Sequence, residues 1–273
     1  MQNTLAISLS AVALAAIACV PLLAQEATVN ADPDALAKAL SNPVASLISL
    51  PLQLNYDTGH GPADNGERWT LNVQPVIPVS LSQDWNLISR TIVPIITQSD
   101  VLPGETDSGL GDVVQSLFFS PKAPSSGGWI WGVGPAFLLP TATNDRLGAE
   151  QWALGPTGVA LKQTASGWTY GALANHLWSV AGKAERTDVC ATFLQPFLAK
   201  GLGKGASATV NFESTYDWKT RNWTLPLNLT YSKVTRFGKQ LVSLAGGVRA
   251  YLDKSEGGPD WGLRAQLTFL FPR

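Results

Sequence analysis

The C-terminal stretch WGLRAQLTFLFPR, residues 261–273, decides the fold because its side chains alternate with a period of two. One face is apolar and carries Trp261, Leu263, Ala265, Leu267, Phe269 and Phe271. The other face carries Gly262, Arg264, Gln266 and Thr268. This pattern is typical of a β-strand with one apolar side. Chain ends usually fray, so a strand this regular at the end predicts that neighbouring strands hold it.

The same alternation recurs along most of the chain from residue 46 onward. It is clearest in residues 48–56, 68–79, 208–216, 223–231 and 241–252, and weaker in residues 85–97, 110–120, 129–139, 156–164, 168–180 and 189–199. With the last strand, these segments predict about twelve strands of roughly ten residues, the length that a tilted membrane-spanning strand needs.

Composition favours a barrel in a membrane over a water-soluble sheet. Charged residues make up 14% of the chain, whereas a typical soluble domain has about a quarter. The chain has ten Trp residues, and its Trp and Tyr residues tend to lie near segment ends, as in the aromatic girdles of membrane barrels. A soluble β-sandwich would show the same alternation, but its polar faces would carry more Lys and Glu. We therefore predict an all-β fold, a single antiparallel transmembrane β-barrel. The net charge of −1 gives no sign of a nucleic-acid partner.

The N-terminus is typical of an exported protein. Residues 1–24 end in an apolar run and predict a signal peptide cleaved near Ala24, with lipid attachment at Cys19 or an uncleaved helix as the alternatives. Residues 25–45 then form a periplasmic segment with one short helix, which Asp32 caps and Pro33 begins. Residues 46–273 form the barrel, so the expected location is the outer membrane, reached through the periplasm.

Prolines inside the predicted strands conflict with a closed barrel. They are Pro51, Pro75, Pro78, Pro94, Pro135, Pro196 and Pro226. Proline lacks the backbone N–H group that a strand ladder needs, and it belongs on edges or bulges. We expect some of these prolines to mark bulges or strand ends.

Several longer stretches resemble one family of outer-membrane barrels. They are NPVASLISLPLQLNYD, VQPVIPVSLSQDWNLISRTIVPII, GLGDVVQSLFFSPK, WGVGPAFLLPTATN, GPTGVAL, WTYGALANHLWS and LQPFL, and they cover most of the chain from about residue 42. The family carries the labels phenol meta-pathway degradation protein and generic transporter, and sometimes neuromedin U. The resemblance implies an outer-membrane barrel, and it supplies no catalytic residues.

The last strand also resembles the assembly signal of outer-membrane barrels. That signal is an apolar strand with a Phe at or near the end, here represented by Trp261, Leu267, Phe269 and Phe271. The chain departs from the pattern because Pro272 and Arg273 follow the last Phe. The resemblance implies two partners, the outer-membrane lipid and the barrel-assembly machinery.

Inward-facing polar groups are the candidates for contact with a transported solute. Alternation assigns Arg68, Gln74, Arg90, Lys162, Glu213, Asn228, Arg249 and Arg264 to the lumen. Two interpretations stay open. A positively lined passage favours anionic or polar solutes, whereas pairing of Arg249 or Arg264 with Glu213 across the lumen closes it. The expected function is a channel or transporter-like barrel for uptake of a small molecule, either a hydrophobic or aromatic one or an anionic one.

Two other functions compete with transport: a barrel enzyme that acts on lipid, and a structural surface barrel with a plugged lumen. Among possible catalytic bases, His176 lies near Ser179, but their odd spacing puts them on opposite faces of a strand. His60 is expected in a solvated outer loop. No residue pattern predicts a metal site or another cofactor. We therefore predict that the chain is not an enzyme, and the sequence specifies neither the solute nor the oligomeric state.

Overall fold

The structure, a computed structural model, describes residues 32–272. The predicted signal peptide at residues 1–24 and the first part of the 25–45 segment lie outside the described residues. The predicted helix is present as α1 (Pro33–Leu40). Its cap is the side chain of Asp32, which accepts a hydrogen bond of 3.0 Å from the backbone N–H of Asp34. Pro33 takes the first helical turn, where its missing N–H costs nothing.

All other regular structure within residues 32–272 is strand. The segments are β1 (Ile48–His60), β2 (Gly66–Val73), β3 (Val76–Ser80), β4 (Trp85–Ser99), β5 (Thr106–Leu110), β6 (Val113–Pro121), β7 (Trp129–Leu139), β8 (Gln151–Gln163), β9 (Trp168–Gly182), β10 (Cys190–Gly203), β11 (Ala206–Phe212), β12 (Ser214–Asp217), β13 (Asn222–Thr224), β14 (Pro226–Phe237), β15 (Gln240–Tyr251) and β16 (Trp261–Phe271). Short gaps divide the twelve strands of a closed antiparallel barrel into these segments.

The last strand closes the cylinder, as its regularity predicts. β16 pairs with β1 from Ile48 opposite Phe271 to Thr58 opposite Trp261. On its other side β16 pairs with β15. Both edges of the C-terminal strand are therefore hydrogen-bonded, which explains why the chain can end on a strand without fraying. We call the end of the barrel that holds Ile48 and Phe271 the terminal end.

The outer face of the barrel is apolar, and the inner face is mixed. In β16, Trp261 and Leu263 are about half exposed, while Arg264 and Thr268 on the other face are buried. Aromatic rings meet on the outer face near strand ends, as for Trp129 and Tyr170, whose ring centroids lie 6.2 Å apart. This is the surface that a membrane-spanning barrel presents to lipid. Among the described residues, no helix is long and apolar enough to cross a membrane.

Several in-strand prolines coincide with gaps in the strands, which resolves part of the conflict. Pro75 occupies the gap between β2 and β3, and Pro226 begins β14 after the gap that follows β13. Pro94 uses its carbonyl oxygen to accept a 2.9 Å hydrogen bond from Gly111 beside the gap between β5 and β6. At such interruptions the ladder does not require the N–H group that proline lacks.

The orientation of β16 gives a direct stability prediction. Leu267→Arg puts a charge on the outer face near mid-strand, and we expect it to destabilise the folded barrel in lipid by about 2–4 kcal/mol. Gln266→Arg is the matched control, because Gln266 borders an internal cavity. Urea unfolding in vesicles, followed by gel mobility without boiling, measures both variants. Equal losses for the two variants would contradict this orientation.

Candidate functional site in the barrel lumen

The N-terminal segment occupies the terminal end of the barrel. We call residues 32–47 the N-terminal plug. Its helix turns Leu36 and Ala37 toward inner-face side chains of β14, β15 and β16. Together they form one buried apolar cluster of Leu36, Ala37, Leu47, Val234, Leu241 and Leu270. The described part of the segment predicted to be periplasmic therefore packs inside the barrel.

Val44 anchors the N-terminal plug to the opposite wall of the lumen. It is buried in a second apolar cluster with inner-face residues of β4, β6, β8 and β9, namely Ile88, Phe118, Val159, Leu161 and Leu173. Gly132 leaves room for this contact, because a Cβ atom built there would lie 3.2 Å from a methyl group of Val44. One side of the lumen is thus filled with apolar side chains near the plug.

Polar ties between the N-terminal plug and the barrel are few. The backbone N–H of Gly205 donates to Asp34 at 2.6 Å. The side-chain amide of Gln163 donates to the carbonyl of Lys38 at 2.8 Å, and that of Asn86 donates to the hydroxyl of Ser46 at 2.8 Å. Single hydrogen bonds of this kind contribute about 1 kcal/mol each, so apolar packing supplies much of the attachment.

A cavity of about 400 Å³ lies in the lumen next to the N-terminal plug, on the side away from the terminal end. Residues 39–47 of the plug border it at one end. One wall is polar and includes Gln53, Asn72, Thr209, Ser243 and Gln266. The other is largely apolar and includes Val76, Ile92, Phe193 and Phe197, with Gln195 between the two Phe residues and Arg90 next to Ile92. The cavity is therefore two-faced, and its volume falls in the range of small-molecule sites.

A charged cluster borders the cavity on the side away from the plug. Glu213, in the gap between β11 and β12, accepts two hydrogen bonds from Arg264 at 2.9 and 2.8 Å. The same guanidinium donates through Nε to Asn55 at 2.8 Å. Arg264 is only 7% exposed, and a two-pronged pair of this kind fixes both side chains.

A second ion pair extends the charged cluster along the lumen. Arg249 donates to Asp57 at 3.3 Å and to the Tyr251 hydroxyl at 2.9 Å. That hydroxyl in turn donates to Asp57 at 3.0 Å. Arg249 also lies 4.0 Å from Glu213, which links the two pairs. The charged cluster thus comprises Asn55, Asp57, Glu213, Arg249, Tyr251 and Arg264.

The structure places most of the predicted lumen residues on the inner face. Arg68 donates to Gln98 at 2.9 Å, and Arg90 donates to Gln74 at 3.4 Å. Asn228 is 1% exposed and donates to Asn211 at 2.8 Å. The inner face thus carries Arg68, Gln74, Arg90, Glu213, Asn228, Arg249 and Arg264. Their contact with a solute stays a prediction.

Lys162 is the exception, and its assignment to the lumen was wrong. It lies opposite Trp129 on β7 and Tyr170 on β9, both of which are exposed. Directly opposed residues in a sheet point to the same side, so Lys162 is on the outer face. Its neighbour Leu161 has no exposed surface and points inward. Lys162 lies near the end of its strand, where a long side chain can reach the membrane interface.

Asp57, Tyr251 and Asn55 were not among the predicted site residues. Asn55 and Asp57 follow Gln53 at a spacing of two on β1, so continuing the alternation past Tyr56 would have placed Asp57 in the lumen. Tyr251 follows Arg249 in the same way on β15. Their partners lie on nearby strands: Asn55 is directly opposite Arg264 of β16, and Asp57 reaches β15 past β16. This strand order is set only when the last strand closes the barrel, so no local pattern identifies the pairs.

The two histidines do not form a catalytic group with Ser179. His176 is on the outer face, where its Nδ1 lies 2.6 Å from the Thr192 hydroxyl and its ring lies 4.1 Å from that of Trp178. It packs against the exposed rings of Trp178 and Trp218 on that face. His60, expected to be solvated, is instead buried at the end of β1. Within residues 32–272, no group of three or more metal-ligating side chains comes together.

Comparison with known proteins supports the fold. No protein-family model and no curated protein matches the sequence. The chain is similar in structure to an outer membrane channel from Pseudomonas putida F1, with a TM-score of 0.63 and 14% identity over 83% of this chain and 96% of that one. The TM-score with outer membrane phospholipase A from Escherichia coli is 0.45, at 12% identity over 89% of this chain and 99% of that one. The TM-score with the β domain of the Bordetella autotransporter BrkA is 0.45, at 12% identity over 83% of this chain and 100% of that one. At 14% identity, the likeness to the Pseudomonas putida F1 channel supports the barrel fold alone, and the family labels stay a prediction.

Proposed function

We propose that this barrel is an outer-membrane channel or transporter for a small molecule, and that its N-terminal plug closes the pathway in the state described here. The observation that carries the proposal is the two-faced cavity inside the barrel, held between the plug and the charged cluster. A barrel with a purely structural role would need no such cavity, because its interior could be filled by side chains.

The contacts of the N-terminal plug suit a part that moves. It is joined to the barrel by a few single hydrogen bonds and two small apolar clusters, and it belongs to none of the strand ladders. Displacing it breaks no strand pairing. In this proposal the terminal end of the barrel faces the periplasm. When the plug moves out of that end, the cavity opens to the periplasm.

The proposal also includes the outer-membrane partners. The apolar outer face meets lipid, and the last strand, with Trp261, Leu267, Phe269 and Phe271 on that face, serves as the signal for the assembly machinery after export through the periplasm. The fold of the similar channel from Pseudomonas putida F1 supports an outer-membrane location.

Tethering the N-terminal plug tests the proposal. The side-chain amide of Gln163 donates to the carbonyl of Lys38 in α1, so cysteines at these two positions can be joined by a short bis-methanethiosulfonate reagent, with Cys190→Ser as background. Each form, inserted in a planar bilayer, is recorded before and after the tether is reduced. We expect unitary current steps from the free form, loss of the steps on tethering, and their return on reduction.

Each single-cysteine variant, treated with the same reagent, serves as the control. Loss of current there would reflect modification rather than tethering. If tethered and free barrels conduct equally, the pathway does not run past the plug. The channel proposal fails if correctly folded barrels carry no current in the free form, after reduction of the tether, and in a Val44→Asp variant whose plug is destabilised.

A further inference from the structure

We infer that the lumen cavity binds amphipathic monocarboxylates, with the carboxylate on Arg90 and the apolar body against Phe193 and Phe197. This inference rests on the proposed function and names the solute class of the same cavity. Three features of the described residues support it: an uncommitted guanidinium, a two-faced wall, and a carboxylate at the border of the cavity.

Within residues 32–272, Arg90 is the cation of the cavity that has no carboxylate within 4.0 Å, and the charge of Glu213 acts on it only from farther away. The other cation that borders the cavity, Arg264, donates two hydrogen bonds to Glu213. The hydrogen bond of Arg90 to Gln74 is long, at 3.4 Å. A guanidinium has five N–H donors in a planar fork, so most of them remain available to a ligand. A carboxylate fits such a fork with two parallel hydrogen bonds.

The wall composition selects an amphipathic ligand. Phe193 and Phe197 lie on the inner face of β10, and Ile92 lies on the same β4 face as Arg90. Phe193 and Phe197 pack against the apolar cluster that contains Ile88, two residues from Arg90 on the same face of β4. An apolar body of one ring or a short chain can therefore contact this surface while its carboxylate reaches Arg90. The opposite wall carries Ser, Thr, Asn and Gln side chains, which can hold water or a hydroxyl group of the ligand.

Glu213 limits the charge of the ligand to one. Its carboxylate also borders the cavity and is already neutralised by Arg264. The second charge of a dianion such as a phosphate monoester would have no free cation to pair with, and it would lie near the carboxylate of Glu213. Unpaired charges in a poorly hydrated site are costly, so a monoanion is favoured over a dianion.

Binding to the full-length folded chain in detergent tests the inference without any transport step. The probe is 4-fluorophenylacetate, observed by ¹⁹F NMR, and its neutral matched probe is 4-fluorophenylacetamide. We expect the carboxylate to bind at least about tenfold more tightly than the amide. Arg90→Gln should remove this difference, whereas Arg90→Lys should retain part of it, because it keeps the charge without the planar fork.

Lys162→Gln is the matched control, since it removes a cation from the outer face. A gel-mobility shift on boiling verifies the fold of every variant. The inference is overturned if Arg90→Gln binds the carboxylate as wild type does, if Lys162→Gln loses as much affinity, or if the amide binds equally well. Because current and binding are measured separately, a conducting barrel without carboxylate preference would overturn this inference and leave the channel proposal standing.

Discussion

Val44→Asp is expected to convert a barrel with rare openings into one that conducts for most of the recording. Val44 is 5% exposed and surrounded by the side chains of its apolar cluster. A carboxylate buried there without a partner costs several kcal/mol. A cost of about 3 kcal/mol against the seated plug shifts the ratio of displaced to seated states by more than about a hundredfold. Single-channel recording gives the open fraction directly.

The control for this prediction is Ala35→Asp, which adds the same charge to an exposed position of α1. Its open fraction should match that of wild type. Limited proteolysis supplies a second readout, because a displaced plug is cut more rapidly while the barrel stays intact. The idea that the plug closes the pathway fails if Val44→Asp is folded, loses its plug to protease and still does not conduct.

Alternation predicted the barrel well because one physical constraint acts on every strand. Each strand must present apolar groups to lipid, so the period-two pattern of residues 261–271 and its counterparts specify strands, faces and closure. The same constraint located Arg249 and Arg264 correctly. It failed at Lys162, because the segment GPTGVALK has small or apolar residues on both faces and its inner face at Val159 and Leu161 is itself apolar.

The N-terminal plug could not be predicted from the same pattern. Its helix has an apolar side at Leu36 and Ala37, but its sequence does not predict which surface packs against that side. The partners, Val234, Leu241 and Leu270, are separated from it by most of the chain and meet it only when the barrel closes. Pairings inside the charged cluster were equally hidden, since they depend on the strand order and register of the closed barrel.

Glu213→Gln is expected to destabilise the folded barrel by about 3 kcal/mol, because it leaves Arg264 buried with no full counter-charge. Gln keeps the shape of Glu and one acceptor oxygen, so the change isolates the charge. Arg249, 4.0 Å away, also loses part of its stabilisation. Urea unfolding of the barrel in vesicles, followed by gel mobility and tryptophan fluorescence, measures the free energy of unfolding.

The double variant Glu213→Gln, Arg264→Gln separates the lost pair from a general loss of packing. Removing both charges leaves two neutral side chains that can still hydrogen-bond, so it should recover most of the stability lost by the single change. Glu185→Gln, in an exposed loop, should change the free energy of unfolding by less than about 0.5 kcal/mol. A single variant as stable as wild type would mean that water in the lumen screens Arg264, and that the charged cluster does not hold this side of the cavity in place. In that case the positively lined passage, with Arg264 open to solute, would be the better description of the lumen.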